Sequence, residues 1–133
     1  MGILTLLLAG PLGLTPPAWA QDGTSAADGQ QVFVQSHCSG CHGELGYGGA
    51  GPPLRGNHIL PVTDYVIAQI LVGRGIMPSF ADKLDDRQIA AVATYIRTSW
   101  GNKDGPVDAA SVTKIRQFLT THQALPAPSD TGE

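Results

Sequence analysis

The residues best placed to do chemistry stand together in Cys38-Ser39-Gly40-Cys41-His42, which holds the only two cysteines of the chain. The spacing sets two thiols a short fixed distance apart, and an imidazole follows the second directly. Two thioether bonds to adjacent vinyl groups of a haem need this separation, and the next residue then lies under the iron. Cys-x-x-Cys-His therefore reads as covalent haem attachment, with Cys38 and Cys41 as thioether carriers and His42 as an iron ligand. Three rival chemistries are weaker. A structural disulfide suits an exported protein but does not call for His42. A thioredoxin-like pair wants a strand before it, and no strand pattern is evident. A zinc site needs four ligands, and only the scattered His37, His58 and His122 remain.

Haem iron with one histidine asks for a second axial donor. A methionine thioether is a soft ligand that favours the ferrous state. Met1 falls in an export segment, so Met77 is the candidate, set in the loop Gly75-Ile76-Met77-Pro78. A lone methionine is commonly core filler, but filler belongs on a helix face more than beside a proline in a glycine-rich loop. His58, in the other long loop, is the competing ligand. The second ring nitrogen of His42 needs an acceptor, and Gly51-Pro52-Pro53-Leu54 is placed to offer one, with the Pro52 carbonyl as the candidate. Leu54, Ile70, Ile76 and Phe80 are candidate walls of an apolar haem pocket. Arg55, Asn57 and Arg74 are candidate donors to haem propionates.

Helices must position these groups. A first helix is expected over 27–37, with Val32 and Phe33 on its buried side, running into the cysteine motif. Residues 43–61 hold too many Gly and Pro for a helix or a central strand. A second helix over 63–72, capped by Thr63 or Asp64, carries the stripe Val66, Ile67, Ile70 and Leu71. A loop over 73–84 leads to the clearest helix, 86–99, with Asp85 as N-cap and Gln88 completing a capping box. Ile89, Val92, Ala93 and Ile96 repeat along it at helical spacing. Asp108 caps a last helix over 109–121, whose face Val112, Ile115, Phe118 and Leu119 is expected to pack on the same domain. The expected class is all-α: four to five short helices around one covalently attached haem.

The composition agrees with a small domain stapled by a cofactor. Of 133 residues, 17 are Gly, 10 are Pro and 6% are aromatic, so large core side chains are scarce. The formal net charge of -3 argues against nucleic acid, which wants a clustered basic face, and leaves protein partners. Residues 1–20 read as an export signal, with an apolar run Ile3 to Leu8 and a small-x-small cleavage site Ala18-Trp19-Ala20, although no Lys or Arg precedes the run. The layout expected is signal 1–20, lead-in 21–27, a core domain 28–102, an extension 103–125 with a short helix, and a disordered tail 126–133. The mature protein is expected to be periplasmic, without a membrane span.

The order of first helix, Cys38-x-x-Cys41-His42, Gly51-Pro52-Pro53-Leu54, middle helix, Met77-Pro78 and amphipathic last helix resembles class I cytochrome c over residues 28–102. That resemblance implies the cytochrome c fold, haem c as cofactor, His42 and Met77 as axial ligands, and Pro52 as the carbonyl partner of His42. Gly29, Phe33 and Tyr95 resemble the positions where first and last helices of that family pack. The interval from Phe33 to Cys38 is one residue longer than that family's usual pattern. Met77-Pro78-Ser79-Phe80 and the stretch Ala93 to Asn102 look like the cytochrome c subunits that accompany quinoprotein (pyrroloquinoline quinone) alcohol and sugar dehydrogenases. The resemblance implies a one-electron carrier between such a dehydrogenase and a downstream cytochrome or oxidase. A permanently bound haem subunit is the alternative, and a haem peroxidase or ligand sensor is a weaker one, because Met77 would fill the site such chemistry needs.

Overall fold

The computed structural model describes residues 25–122, and the expected signal and the tail from 126 lie outside them. The Ser25 hydroxyl accepts the Asp28 amide and starts α1 (Ala26–Gln35), one residue ahead of the expected 27. His37 takes left-handed backbone (φ 61°) between α1 and the one-turn α2 (Cys38–His42). Two further helices are α3 (Thr63–Val72) and α4 (Asp86–Thr98), and α5 (Ala109–Thr121) closes the order. Among the described residues there is no strand; only an isolated bridge joins Arg74 to Met77. No described helix is long and apolar enough to cross a membrane.

The crossing of α1 and α4 is the tightest contact in the fold. A Cβ on Gly29 would lie 2.0 Å from the Ala91 carbonyl oxygen, so only glycine lets these backbones meet. One turn later Phe33 is buried, its ring 5.4 Å from Tyr95 and 5.6 Å from Trp100. Burying such a phenylalanine is worth about 1.5–3 kcal/mol. The longer interval before Cys38 thus leaves the packing of Gly29 and Phe33 on α4 in place.

The ends of the helices show which caps the chain uses. Asp85 and Gln88 form the expected capping box, with bonds of 2.8 and 2.9 Å. Asp108 accepts the Ser111 amide at 2.7 Å. The start of α3 differs from expectation: its N-cap is Val62, and neither Thr63 nor Asp64 caps it. Thr63 lies inside the helix and its hydroxyl instead accepts from Arg97, a buried arginine that also donates to the Asp104 carbonyl. Desolvation lowers the Arg97 pKa, and the Asp104 charge opposes that shift.

The face of α5 is also narrower than expected. Val112 is buried, and Ile115 and Leu119 pack against the core. Phe118 instead points outward, 57% exposed and stacked on His122 at 4.2 Å. A helix resting on α3 and α4 can bury only the residues of one stripe, and Phe118 falls beside it. The long loop 43–61 is fastened by Asn102, whose side-chain amide donates to the Leu54 and Ile96 carbonyls and accepts the Gly56 amide.

Candidate functional site

A crevice of about 550 Å³ opens between the helices, within the range of roughly 300–1,000 Å³ usual for ligand sites. Its lining brings Cys38, Cys41 and His42 together with Met77 from the loop after α3. Both thiols are free, so the disulfide reading does not describe this structure. Burial, aided by the Cys41 charge, pushes the Cys38 thiol up to about 11 against a backbone hydrogen bond. Among the described residues, no three His, Cys, Asp or Glu side chains are arranged to hold a metal ion.

The imidazole of His42 is buried and oriented by the loop at Gly51 and Pro52. Its Nδ1 lies 2.8 Å from the Pro52 carbonyl oxygen, an acceptor that fixes the proton there and leaves Nε2 free as a lone-pair donor. A Cβ on Gly51 would come within 2.9 Å of the ring carbon Cε1. Glycine at this position lets the loop lie flat against the imidazole, and Pro52 then presents its carbonyl. The loop returns to α2 through the bond from the Gly51 amide to the Cys41 carbonyl, 2.9 Å.

Met77 is half-buried, and the Gln69 side-chain amide lies 3.6 Å from its sulfur. Thioether sulfur is a weak acceptor with a second lone pair to spare. The loop carrying it is closed by two backbone bonds between Arg74 and Met77, 3.0 and 3.1 Å. Leu54, Ile70 and Phe80 line the crevice as expected. Ile76 lines it too, but 76% exposed, so it belongs to the mouth more than to the wall. It sits in the tight turn made by Gly75 (φ 59°) and closed by the Arg74–Met77 backbone bonds.

The candidate propionate donors separate. Arg74 lies on the crevice rim. Arg55 is not among the lining residues: its guanidinium donates to the Tyr47 hydroxyl at 3.1 Å and sits over that ring at 5.0 Å. Asn57 lines the crevice, yet its amide is committed to the Pro53 carbonyl and the Ile59 amide. His58 is exposed and does not line the crevice, whereas His37 does, at its surface. Sequence reasoning missed Gln69 and Tyr65, which also line it. Gln69 had one readable mark, a polar side chain set next to Ile70 and three residues after Val66.

These residues fit a covalently bound haem c. Two reduced sulfurs, an imidazole with one free nitrogen, and a thioether converge on a mostly apolar cavity with polar atoms near its edge. Cys38 and Cys41 would carry the thioether bonds, and His42 and Met77 would be the iron ligands.

Comparison with known proteins agrees with that chemistry. The family model "Cytochrome C oxidase, cbb3-type, subunit III" matches residues 24–96. Cytochrome c-552 of Thermus thermophilus is 34% identical over 149 residues, spanning 92% of this chain and 91% of that protein. The cytochrome c subunit of a quinone alcohol dehydrogenase from Gluconacetobacter polyoxogenes is 34% identical over 113 residues, 73% of this chain but 24% of that subunit. Among solved structures, cytochrome cL from Methylophaga aminisulfidivorans superposes with a TM-score of 0.53 at 21% identity, covering 86% of this chain and 79% of that one. That last likeness concerns the fold.

Proposed function

We propose, given that this chain belongs to the cytochrome c family and is a monohaem electron carrier with covalent haem c, that it works in the periplasm between a quinoprotein-type dehydrogenase and a downstream cytochrome or terminal oxidase. The observation that carries the electron-carrier part of the reading is the convergence of Cys38, Cys41, His42 and Met77 on one apolar crevice. The bound haem supplies one-electron exchange between ferric and ferrous iron. The chain's own residues make that exchange cheap. His42, held by Pro52, and Met77, approached by Gln69, would occupy both axial positions and need not move when the charge changes. Leu54, Ile70 and Phe80 give the crevice an apolar wall that would limit water at the ligands, and a dry, prearranged site has little to reorganise. With His42 and Met77 as ligands, no substrate site would remain at the metal, which separates this reading from a peroxidase or sensor.

The partner assignment rests on likeness to dehydrogenase and oxidase subunits. The domain layout proposed is an export signal over 1–20, a haem-bearing core over 28–102 and an extension over 103–125, whose helix α5 packs against the core. A free carrier is the primary reading, and a permanently bound subunit is the second, favoured by the dehydrogenase subunit match.

Stopped-flow mixing of the ferric protein with a substrate-reduced quinoprotein alcohol dehydrogenase tests the donor. Saturable reduction that slows or quickens with added salt supports a docking carrier. No reduction on the timescale of dehydrogenase turnover removes that donor class. Rapid, complete cyanide binding at neutral pH would instead bring the sensor or peroxidase reading forward.

A further inference from the structure

We propose that Arg116 on α5 is a positioning residue for the methionine side of the haem crevice, so that α5 sets how readily Met77 is displaced from the iron. The proposal rests on the reading of Met77 as axial ligand.

One planar guanidinium gathers three acceptors from two segments. Arg116 Nε meets Asp86 Oδ1 at 2.7 Å, one terminal nitrogen donates to the Ala81 carbonyl at 2.6 Å, and the other donates to the Leu84 carbonyl at 3.0 Å. The Thr113 hydroxyl donates to the second Asp86 oxygen and holds that carboxylate in place. Both side chains of the ion pair are about three-quarters covered, 25% and 26% exposed, so water screens the contact less than on an open surface. Charge-assisted bonds of this kind are roughly twice as strong as neutral ones, and only a forked donor can make all three.

The carbonyls it holds bracket part of the crevice wall. Phe80 and Leu84 both line the crevice, and the Leu84 amide closes the turn onto the Phe80 carbonyl at 3.0 Å. On its other side the same segment hangs from α3. The Ser79 hydroxyl donates to the Leu71 carbonyl at 2.6 Å, and the amides of Phe80 and Ala81 donate to Ile70 and Leu71 at 3.2 Å. Met77 stands between the end of α3 and the first of these anchors, and its own backbone bonds reach only Arg74 in the same loop. Opening that loop far enough to free the thioether strains the 79–84 segment against α3 at one end and Arg116 at the other. Removing Arg116 leaves one anchor. Thr113 and Arg116 lie beyond the family match, which ends at residue 96, while the groups they hold lie inside it.

The test uses the mature ferric holoprotein and imidazole as competing ligand, following loss of the near-infrared iron–sulfur band. Arg116→Met is expected to speed displacement by about tenfold, the scale of one charge-assisted bond. It is also expected to speed hydrogen exchange at the Lys83 and Leu84 amides. Ser25→Ala, which removes the cap of α1 far from this wall, gives the effect of lost global stability alone and is expected to leave the displacement rate unchanged. Arg116→Lys keeps the cation and the packed stem but cannot fork, so it is expected to fall between wild type and the Met variant, and it serves if the Met variant does not mature. An unchanged rate in both Arg116 variants overturns the proposal, and so does an acceleration shared by Ser25→Ala. A wild-type protein without the band overturns the ligand reading itself, which is seen before any variant is made.

Discussion

The imidazole of His42 works because a backbone carbonyl, and no side chain, fixes its far nitrogen. The acceptor sits 2.8 Å away on Pro52, whose ring stiffens the loop, and Gly51 gives that loop its close approach. Gly51→Ala should therefore push a methyl group into the ring, 2.9 Å from Cε1, and cost about 1–3 kcal/mol of stability. The same variant should shift the reduction potential, because the imidazole must tilt or lose Pro52. Unchanged urea midpoint and potential would show that the loop relaxes freely. At this scale the cysteine motif and the Pro52 partner were readable because they are local in sequence. The interaction of Gln69 with Met77 was not, since it depends on how the loop after α3 folds back. The contact of Arg55 with Tyr47, eight residues earlier, was likewise not readable from the sequence.

Helices are set here by their caps and by one glycine contact. Gly29→Ala would drive a methyl carbon to 2.0 Å from the Ala91 carbonyl oxygen, and backbone cannot give way as a side chain can. A loss of at least about 1–3 kcal/mol is expected, read as a lower denaturation midpoint with unchanged slope. Asp108→Ala removes the α5 cap and should cost about 1 kcal/mol at neutral pH. The backbone N–H of Ser111, foremost, holds the Asp108 carboxyl below its ordinary value against a smaller desolvation penalty. A depressed carboxyl pKa adds stability above the unfolded value and loses it as pH falls through the folded one. The penalty of the substitution should accordingly shrink in acid, and a penalty constant from neutral to acid pH would contradict the capping account. Asp85 with Gln88 and Asp108 were legible because a cap needs only local spacing. Thr63 was not, because its hydroxyl is taken by Arg97 from a distant helix, and neither was Phe118, whose outward turn depends on where α5 rests.

The whole molecule is a thin core around an apolar crevice of about 550 Å³. With 6% aromatic residues it has few side chains to spare, and a domain this small leans on whatever fills the space. A group bound only to the folded state stabilises it by linkage. Replacing Cys38 and Cys41 together by serine should thus leave a chain with much reduced helical circular dichroism; native helicity without attached haem would show that the protein core suffices. The all-α order and the loops were readable from glycine, proline and the apolar stripes, and the haem motif called both loops to one site, while the hydrogen bonds that hold each loop there were visible only in three dimensions. Everything in the functional reading depends on what fills the sixth position. The most direct measurement is the near-infrared iron–sulfur band of the ferric holoprotein in wild type and Met77→Ala, each checked for covalent haem by pyridine haemochrome. The band should be present in wild type and absent from Met77→Ala, with the haem still attached in both. Covalent haem without the band in wild type, or a band that survives in Met77→Ala, would contradict the account.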